Sequence, residues 1–203
     1  MDFWNDVVTD RSWKVLIDLK GKFNFVLIGG WACYLLTGAI KSKDIDIIID
    51  FNALEKIKAE FMLKKNPHLK KYGTVIDGIS IDVYVPFYSR LAIPIEFVLE
   101  NTIEIQGLRI PKPEILLILK QQAEDERKYS VKGQKDRVDV INILLNSDIE
   151  IESYRRLIKR FSLGSYEKRL KEIVNLAKRE FEYLGITNPR EIKLKKRKIL
   201  DRF

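Results

Sequence analysis

Three aspartates stand on predicted strands in a pattern that suits a divalent cation. From Lys41 to Asp50, alternation with period two places Asp44 and Asp46 on one strand face and isoleucines on the other. Asp82 lies on the polar face of a later strand. Parallel carboxylates on a mostly apolar strand repel one another and lose hydration, and a doubly charged cation relieves both costs. The pattern predicts a Mg²⁺ or Mn²⁺ site formed by the three acids.

A glycine pair precedes these acids at a predicted junction between a strand and a helix. The apolar run from Phe23 to Ile28 has strand length, and Gly29-Gly30 then opens a helical stretch. Backbone amides and the positive end of a helix can hold phosphate oxygens at such a junction. The pair lacks the third glycine of a dinucleotide fingerprint and the Lys-Ser/Thr of a P-loop, so the sequence supports neither motif. A tight turn without a ligand is the alternative interpretation.

Glycines that hold phosphate, a pair of acids and a third acid are together the parts needed for phosphoryl or nucleotidyl transfer. Glycosidase chemistry fits less well, because its two carboxyl groups must flank a sugar bond at a separation of roughly 5 to 9.5 Å. The single cysteine, Cys33, and the single histidine, His68, exclude a cysteine-based zinc site and a multi-histidine centre. Any bound metal must therefore have oxygen ligands.

The elements that must position these residues divide the chain into two halves. The patterns predict helices over 4–20 and 53–63, strands over 23–28 and 41–50, and hairpins over 74–85 and 102–110. From Pro113 onwards the chain is predicted to be helical, with later helices over 151–161 and 165–184. We expect an α/β fold: a small mixed β-sheet core with flanking helices over residues 1–112, then an all-helical region over residues 113–203.

The composition is typical of a globular protein with a sizeable core, because 46% of the 203 residues are hydrophobic and 33% are charged. The first ten residues carry three acids and are unlike a secretory signal, and no apolar run is long enough to cross a membrane. These features predict a cytoplasmic protein without a membrane partner.

The net charge of +8 is concentrated near the end of the chain. Residues 151–203 contain 16 Lys or Arg and 7 Asp or Glu, a net charge of +9, whereas the first 150 residues carry −1. Clustered cations gain affinity for phosphates by releasing counterions, so an RNA partner is predicted for this region. The equally favoured alternative is a solvated helical face.

The order of these motifs resembles the nucleotidyltransferase fold of the DNA polymerase beta superfamily. The resemblance rests on Gly29-Gly30-Trp31, the spacing to Asp44-Ile45-Asp46 and the isolated Asp82. The sequences around these residues resemble the antibiotic and the abortive-infection toxin nucleotidyltransferases. The segments at Pro113-Glu114, Lys120 and 135–139 resemble the helical part of the toxin group. The similarity covers roughly residues 20 to 146.

The resemblance implies a role for each matched residue. Asp44 and Asp46 would bind the metal ions, and Asp82 would complete the site or accept the proton of the attacking hydroxyl. Gly29 and Gly30 would hold the triphosphate of an NTP, with Ser42 as a hydroxyl contact.

The chain departs from the family pattern at one position. Many relatives have Arg where this chain has Ile40, which leaves Lys41 as the candidate phosphate-binding cation. Lys135 is a second candidate, and its alternative role is structural, at the start of a predicted helix.

The sequence therefore predicts a metal-dependent nucleotidyltransferase that uses an NTP and a hydroxyl acceptor, either RNA such as tRNA or a small molecule. The alternative is a protein of the same fold without catalytic activity, which binds a nucleic acid or another subunit. Trp31 is expected in the core and Asp50 at a helix cap or in solvent. Lys120 is expected either to extend to solvent or to reach a phosphate.

Overall fold

The computed structural model describes residues 4–203. Its helices are α1 (Asp6–Lys22), α2 (Gly29–Thr37), α3 (Phe51–Glu60), α4 (Ile95–Glu100), α5 (Pro113–Glu126), α6 (Val131–Asn146), α7 (Ile151–Arg160), α8 (Tyr166–Leu176), α9 (Arg179–Tyr183) and α10 (Pro189–Leu200). Its strands are β1 (Val26–Ile28), β2 (Ile45–Ile48), β3 (Lys64–Asn66), β4 (Lys71–Ile76), β5 (Ile79–Tyr84), β6 (Thr102–Ile105) and β7 (Leu108–Pro111). Among these helices, none is long and apolar enough to span a bilayer.

Five strands form one mixed sheet in the order β1-β2-β5-β4-β3, and β6 pairs with β7 in a separate hairpin. Strands β2 and β5 run parallel, whereas the other neighbouring pairs are antiparallel. The predicted α/β fold with a small mixed sheet and a helical region after it is therefore confirmed. The parallel pair is central to the site, because it lays two separate stretches of sequence side by side.

The alternation predicted for β5 is present in the structure. Ile79, Ile81 and Val83 are buried in the core, while Ser80, Asp82 and Tyr84 are exposed or partly exposed on the other face. The two predicted hairpin turns are also present, with Asp77-Gly78 between β4 and β5 and Gln106-Gly107 between β6 and β7. All four turn residues have positive φ, as a two-residue turn of this type requires.

The helical half packs directly on the sheet half. Helix α6 lies against α2 and α5, and the Asn142 side chain donates a hydrogen bond to Thr37 Oγ1 at 2.6 Å. Trp31 of α2 is buried, as predicted, and donates to Ser12 Oγ of α1 at 2.8 Å. One continuous apolar core includes residues of both halves. This packing places α6 beside the start of α2, and the division at residues 112 and 113 stays a prediction.

Several predicted boundaries in the first half are wrong. Strand β2 covers Ile45–Ile48 rather than 41–50, so Asp44 lies in the preceding bend and does not share the strand with Asp46. The bend is held by Ser42, whose hydroxyl donates to the Asp44 carbonyl at 3.1 Å. Strand β3 and helix α4 are not predicted by the sequence patterns, because such short elements have too few residues for a periodic pattern.

The helical half differs from its prediction at three places. The helix predicted over 165–184 breaks between α8 and α9, where the Glu180 carboxylate accepts a hydrogen bond from the Lys178 amide. Helix α6 begins at Val131, four residues before Lys135, because Ser130 caps it by accepting from Gly133. After the predicted helices, the Asn188-Pro189 step starts a further helix, α10, with Asn188 as the N-cap.

The basic segment at the end of the chain is a docked helix. Ile192 and Ile199 of α10 are buried, and α10 packs on α8 and α6. The Arg202 guanidinium donates to the carbonyls of Leu144 and Ile149 at 3.1 and 2.7 Å. Part of the basic character predicted to bind RNA therefore has a structural role, whereas Lys193 and Lys198 are exposed.

Deletion of residues 190–203 is expected to lower the thermal unfolding temperature by about 10 °C, because it uncovers the apolar surface beneath two isoleucines. Differential scanning calorimetry measures the effect. The control is Lys193→Gln/Lys198→Gln, which removes two charges but no packing and should shift the temperature by less than about 2 °C. Equal stability of the truncated and full-length chains would show that α10 is not docked.

Candidate active site

The floor of the site is formed by two acids on neighbouring strands. Asp46 of β2 and Asp82 of β5 are direct register partners in the parallel pair. On the other side of β2, Asp46 is the register partner of Ile28, the last residue of β1. Partners on adjacent strands lie about 5 Å apart and point to the same face. The sheet therefore brings together two acids that are separated by 35 residues of sequence.

Two close contacts explain why glycines occupy positions 29 and 30. Gly29 has a φ of +69°, and a Cβ atom there would lie 2.2 Å from Asp46 Oδ2. A Cβ at Gly30 would lie 2.5 Å from Ser42 Oγ and 3.1 Å from Lys135 Nζ. Both glycines thus let the start of α2 approach the acid and the lysine without a side chain between them. This geometry fits the predicted phosphate site, and Gly30 and Ser42 line the same cleft as the acids.

Of the three predicted aspartates, Asp46 is the one whose negative charge is least compensated by nearby cations. Its burial raises the pKa of the carboxyl group to about 6, and the neighbouring Asp82 carboxylate contributes to the increase. Within residues 4–203, no Lys or Arg nitrogen lies within 4 Å of the Asp46 carboxylate. An ionised carboxylate in such a position is destabilised unless a cation joins it.

The other two acids each have a lysine partner. Lys132 of α6 donates to Asp44 Oδ2 at 2.8 Å, and Lys71 of β4 donates to Asp82 Oδ2 at 2.6 Å. All three predicted aspartates line one cleft. Nevertheless, the described residues contain no group of three His, Cys, Asp or Glu side chains close enough together to surround one metal ion.

The chemistry of the donors fits the predicted magnesium or manganese ion. Carboxylate oxygens are the ligands that these hard cations prefer, and the Asp46 carboxylate forms no ion pair within 4 Å among the described residues. Asp82 is adjacent to it in register. For Asp44 to join them, its side chain would have to leave Lys132. The role of the three acids as metal ligands stays a prediction.

Helices α5 and α6 contribute a wall of buried charges on the opposite side of the cleft. Lys120 Nζ lies 3.1 Å from Asp136 and 2.7 Å from Asp139, and Lys135 donates to both oxygens of Asp139 at 2.7 and 2.8 Å. Arg127 contacts Asp136 through Nε at 2.5 Å and Nη2 at 3.0 Å. The two aspartates therefore hold three cations in fixed positions.

This network keeps Lys120 and Asp136 charged. Burial by itself lowers the pKa of Lys120, but the carboxylates of Asp139 and Asp136 raise it well above its usual value. Burial likewise opposes ionisation of Asp136, but Lys120 and Arg127 lower the pKa of this acid below its usual range. A buried lysine near phosphate is useful only as a cation, and the network meets that condition.

Only some of the predicted phosphate-binding residues line the cleft. Gly30, Ser42 and Lys135 line the cleft together with the three acids. Lys41 does not join them, because its Nζ pairs with Asp10 of α1 at 2.8 Å. The cations that line the described cleft are instead Lys43, Lys120, Arg127, Lys132 and Lys135.

Some of the cations in this wall could not be predicted from the sequence. Lys120 was expected to extend to solvent or to reach a phosphate; it is 4% exposed, so the first interpretation is wrong. Arg127 and Lys132 were not singled out, since they lie in a highly charged stretch that runs from the end of α5 to the start of α6. A sequence signal exists for Lys120, a lone cation in the otherwise apolar run ILLILK. For Arg127 and Lys132, the tertiary contacts alone distinguish them from surface residues.

Comparisons with known proteins return solved structures but no sequence family. No protein-family model matches the chain, and no curated protein matches it significantly. An antigenic nucleotidyltransferase-like protein from Paracoccidioides brasiliensis is 19% identical with a TM-score of 0.40, covering 81% of this chain and 93% of that one. The JHP933 protein from Helicobacter pylori is 15% identical with a TM-score of 0.42, covering 98% and 95%. At such low similarity these neighbours say nothing about the activity of this chain. Its function has to be inferred from the geometry of the cleft.

Proposed function

We propose that this chain is a metal-dependent nucleotidyltransferase, which transfers a nucleoside monophosphate from an NTP to a hydroxyl acceptor. The observation that carries the proposal is the carboxylate of Asp46. It lies beside Asp82, has no Lys or Arg within 4 Å among residues 4–203, and faces a cleft whose opposite wall is cationic. An acid pair that favours a divalent cation and a wall that favours phosphate are what a metal–NTP complex requires.

In the proposed reaction, the hydroxyl oxygen of the acceptor attacks the α-phosphorus of the NTP. A new P–O ester bond forms, the bond from the α-phosphorus to the bridging oxygen breaks, and pyrophosphate leaves. Asp82 is the candidate acceptor for the hydroxyl proton, since it is the more exposed side of the acid pair, next to an open groove. A Mg²⁺ or Mn²⁺ ion held by the aspartates would neutralise charge on the phosphate oxygens.

The chain's own cations would bind the triphosphate. Lys135 stands next to Gly30 at the start of α2, where lysine, backbone amides and the positive helix end can act on one phosphate. Arg127 and Lys120 are held nearby by Asp136. Preorganised charges of this kind stabilise a developing anion without rearrangement during the reaction. Lys132 can add its charge once it leaves Asp44.

A protein of this fold without catalytic activity remains the alternative, and the Lys71–Asp82 and Lys132–Asp44 pairs favour it. These pairs satisfy two of the three acids inside the protein. In the second pair the Lys132 side chain is exposed, however, and exposed ion pairs contribute little free energy, about 1 kcal/mol or less. A divalent cation can therefore displace Lys132 at small cost.

Asp46→Asn is expected to reduce nucleotidyl transfer about a thousandfold or more, because it removes the carboxylate without changing the shape of the side chain. The assay incubates the protein with α-labelled NTPs, Mg²⁺ and either total cellular RNA or a small-molecule extract, and measures labelled products.

The matched control for this assay is Asp50→Asn. Asp50 caps α3 by accepting a hydrogen bond from the Ala53 amide at 2.7 Å, one of the two roles that the sequence left open, and asparagine caps equally well. This variant should keep full activity. If wild type transfers no label and binds no NTP in the presence of Mg²⁺, the chain is the inactive form of the fold instead.

In the absence of divalent ions, Asp46→Asn is expected to stabilise the protein. The pKa of Asp46 is raised from 3.8 to about 6 in the folded state, so its ionisation costs stability above that pH. Removing the charge should raise the unfolding temperature by about 5 °C near pH 8, and the gain should vanish below about pH 4, where the acid is protonated in both states.

The same measurement with Mg²⁺ tests metal binding directly. Mg²⁺ should raise the unfolding temperature of wild type but not of Asp46→Asn, since binding to the folded state stabilises it. A variant that is no more stable than wild type in EDTA near pH 8 would contradict the electrostatic account of this site.

A further inference from the structure

A groove leads away from Asp82 across the open face of the sheet. It is lined by residues of β3, β4 and β5, including Lys64, Lys71, Val75 and Asp82, and by Met62 just before β3. This face is uncovered at β5, where Ser80 is exposed and Asp82 is partly exposed. The groove therefore joins the candidate active site at Asp82.

The register of the strands defines a straight path along this groove. Asp46 is the partner of Asp82, Asp82 of Gly73, and Gly73 of Lys64. Register partners on successive strands share a face and are spaced about 5 Å apart. Lys64 on the edge strand thus lies roughly 10 Å from Asp82 in the same row.

Gly73 places no side chain in the row between Asp82 and Lys64. A Cβ at Gly73 would lie 3.7 Å from Asp82 Oδ1, in ordinary van der Waals contact, and the backbone there does not have the positive φ that favours glycine. A side chain could therefore be accommodated by the fold. It would stand beside Asp82, in the direction of Lys64, and would narrow the groove.

The groove combines cations with exposed apolar groups. Lys64, Lys65 and Lys71 line it, and Asp82 is its one acid within the described lining. Met62 and Val75 are exposed to 83% and 65%. Grooves that bind single-stranded nucleic acid place cations along the phosphates and apolar or aromatic groups against the bases. The lysines would instead repel a cationic small molecule.

We infer that this groove binds the 3′ end of a single-stranded RNA, with its terminal hydroxyl at Asp82 and its adjacent phosphates along Lys71 and Lys64. The inference rests on the proposed function and names the acceptor of the same site. It differs from the sequence-based expectation, which assigned RNA binding to the basic C-terminal quarter. The groove opens at the proposed reacting groups, whereas the basic C-terminal segment uses Lys196 and Arg202 for contacts with the rest of the protein.

The test uses a short fluorescent single-stranded RNA with a free 3′ hydroxyl and measures its affinity by anisotropy at several salt concentrations. Lys64→Gln should weaken binding and reduce the log–log salt slope by about one, as loss of a single phosphate contact does. Gly73→Val should weaken binding roughly tenfold by obstructing the groove, with an unchanged salt slope. Thermal stabilisation by Mg²⁺ and ATP should be the same in both variants as in wild type, which also confirms that they fold.

The charge-matched control is Lys193→Gln/Lys198→Gln on α10, which should leave RNA affinity unchanged. If this control weakens binding while the groove variants do not, RNA binds at α10 and the inference is wrong. Equal and equally salt-dependent binding of a fluorescent polyglutamate peptide would indicate an acidic protein acceptor and overturn the RNA assignment.

The nucleotide measurements separate failure of the inference from failure of the proposed function. If Mg²⁺ and ATP stabilise the protein but no RNA binds, the acceptor assignment fails and the proposed function survives. If RNA binds in the groove but no NTP binds with Mg²⁺, the proposed function fails, and the acceptor role fails with it. Labelling of the RNA 3′ end by wild type, and its loss in Gly73→Val, would support both the proposed function and the assignment of RNA as the acceptor.

Discussion

The structure depends on an acid pair in which only Asp82 has a cationic partner within 4 Å among the described residues. Strands β2 and β5 run side by side, so Asp46 and Asp82 lie next to each other on one face of the sheet, and Gly29 approaches Asp46 closely. Asp82 has Lys71 as a partner, whereas Asp46 has no cationic side chain within 4 Å among the described residues. The resulting increase in the Asp46 pKa is a cost to folding. Costs of this kind are typical of functional sites, where binding of a ligand offsets them.

The cationic wall shows the opposite arrangement, because Lys120, Arg127 and Lys135 each pair with an aspartate. Asp136 and Asp139 lie on α6 and fix Lys120, Arg127 and Lys135 at the edge of the cleft. A buried ion network adds little net stability compared with apolar packing, but it determines where each charge stands. The cleft thus has an acid pair on one side and fixed cations on the other. A metal–nucleotide complex carries a cation that complements the acids and phosphates that complement the cations.

The sequence predicted the position of Asp82 better than the positions of Asp44 and Lys41. Strict alternation on β5 placed Asp82 correctly on the exposed face, and the Asp77-Gly78 turn set the register that aligns it with Gly73. Asp44 was assigned to the wrong element, because the hydrogen bond from Ser42 bends the chain before the strand begins. Lys41 was assigned to the phosphates, yet it binds Asp10 on α1. A lysine side chain can extend in several directions, and residues that are distant in sequence determine which acid it contacts.

Local patterns alone determined the fold class, the two hairpins, the burial of Trp31 and the set of acids that could bind a metal, because periodicity and turn chemistry act over a few residues. The tertiary structure alone decided which strands lie in parallel, and therefore that Asp46 and Asp82 are adjacent. It also decided that Lys120 is buried against two acids, and that Gly73 leaves an open path from Asp82 to Lys64. These contacts join residues that are distant along the chain, and no local pattern in the sequence specifies them.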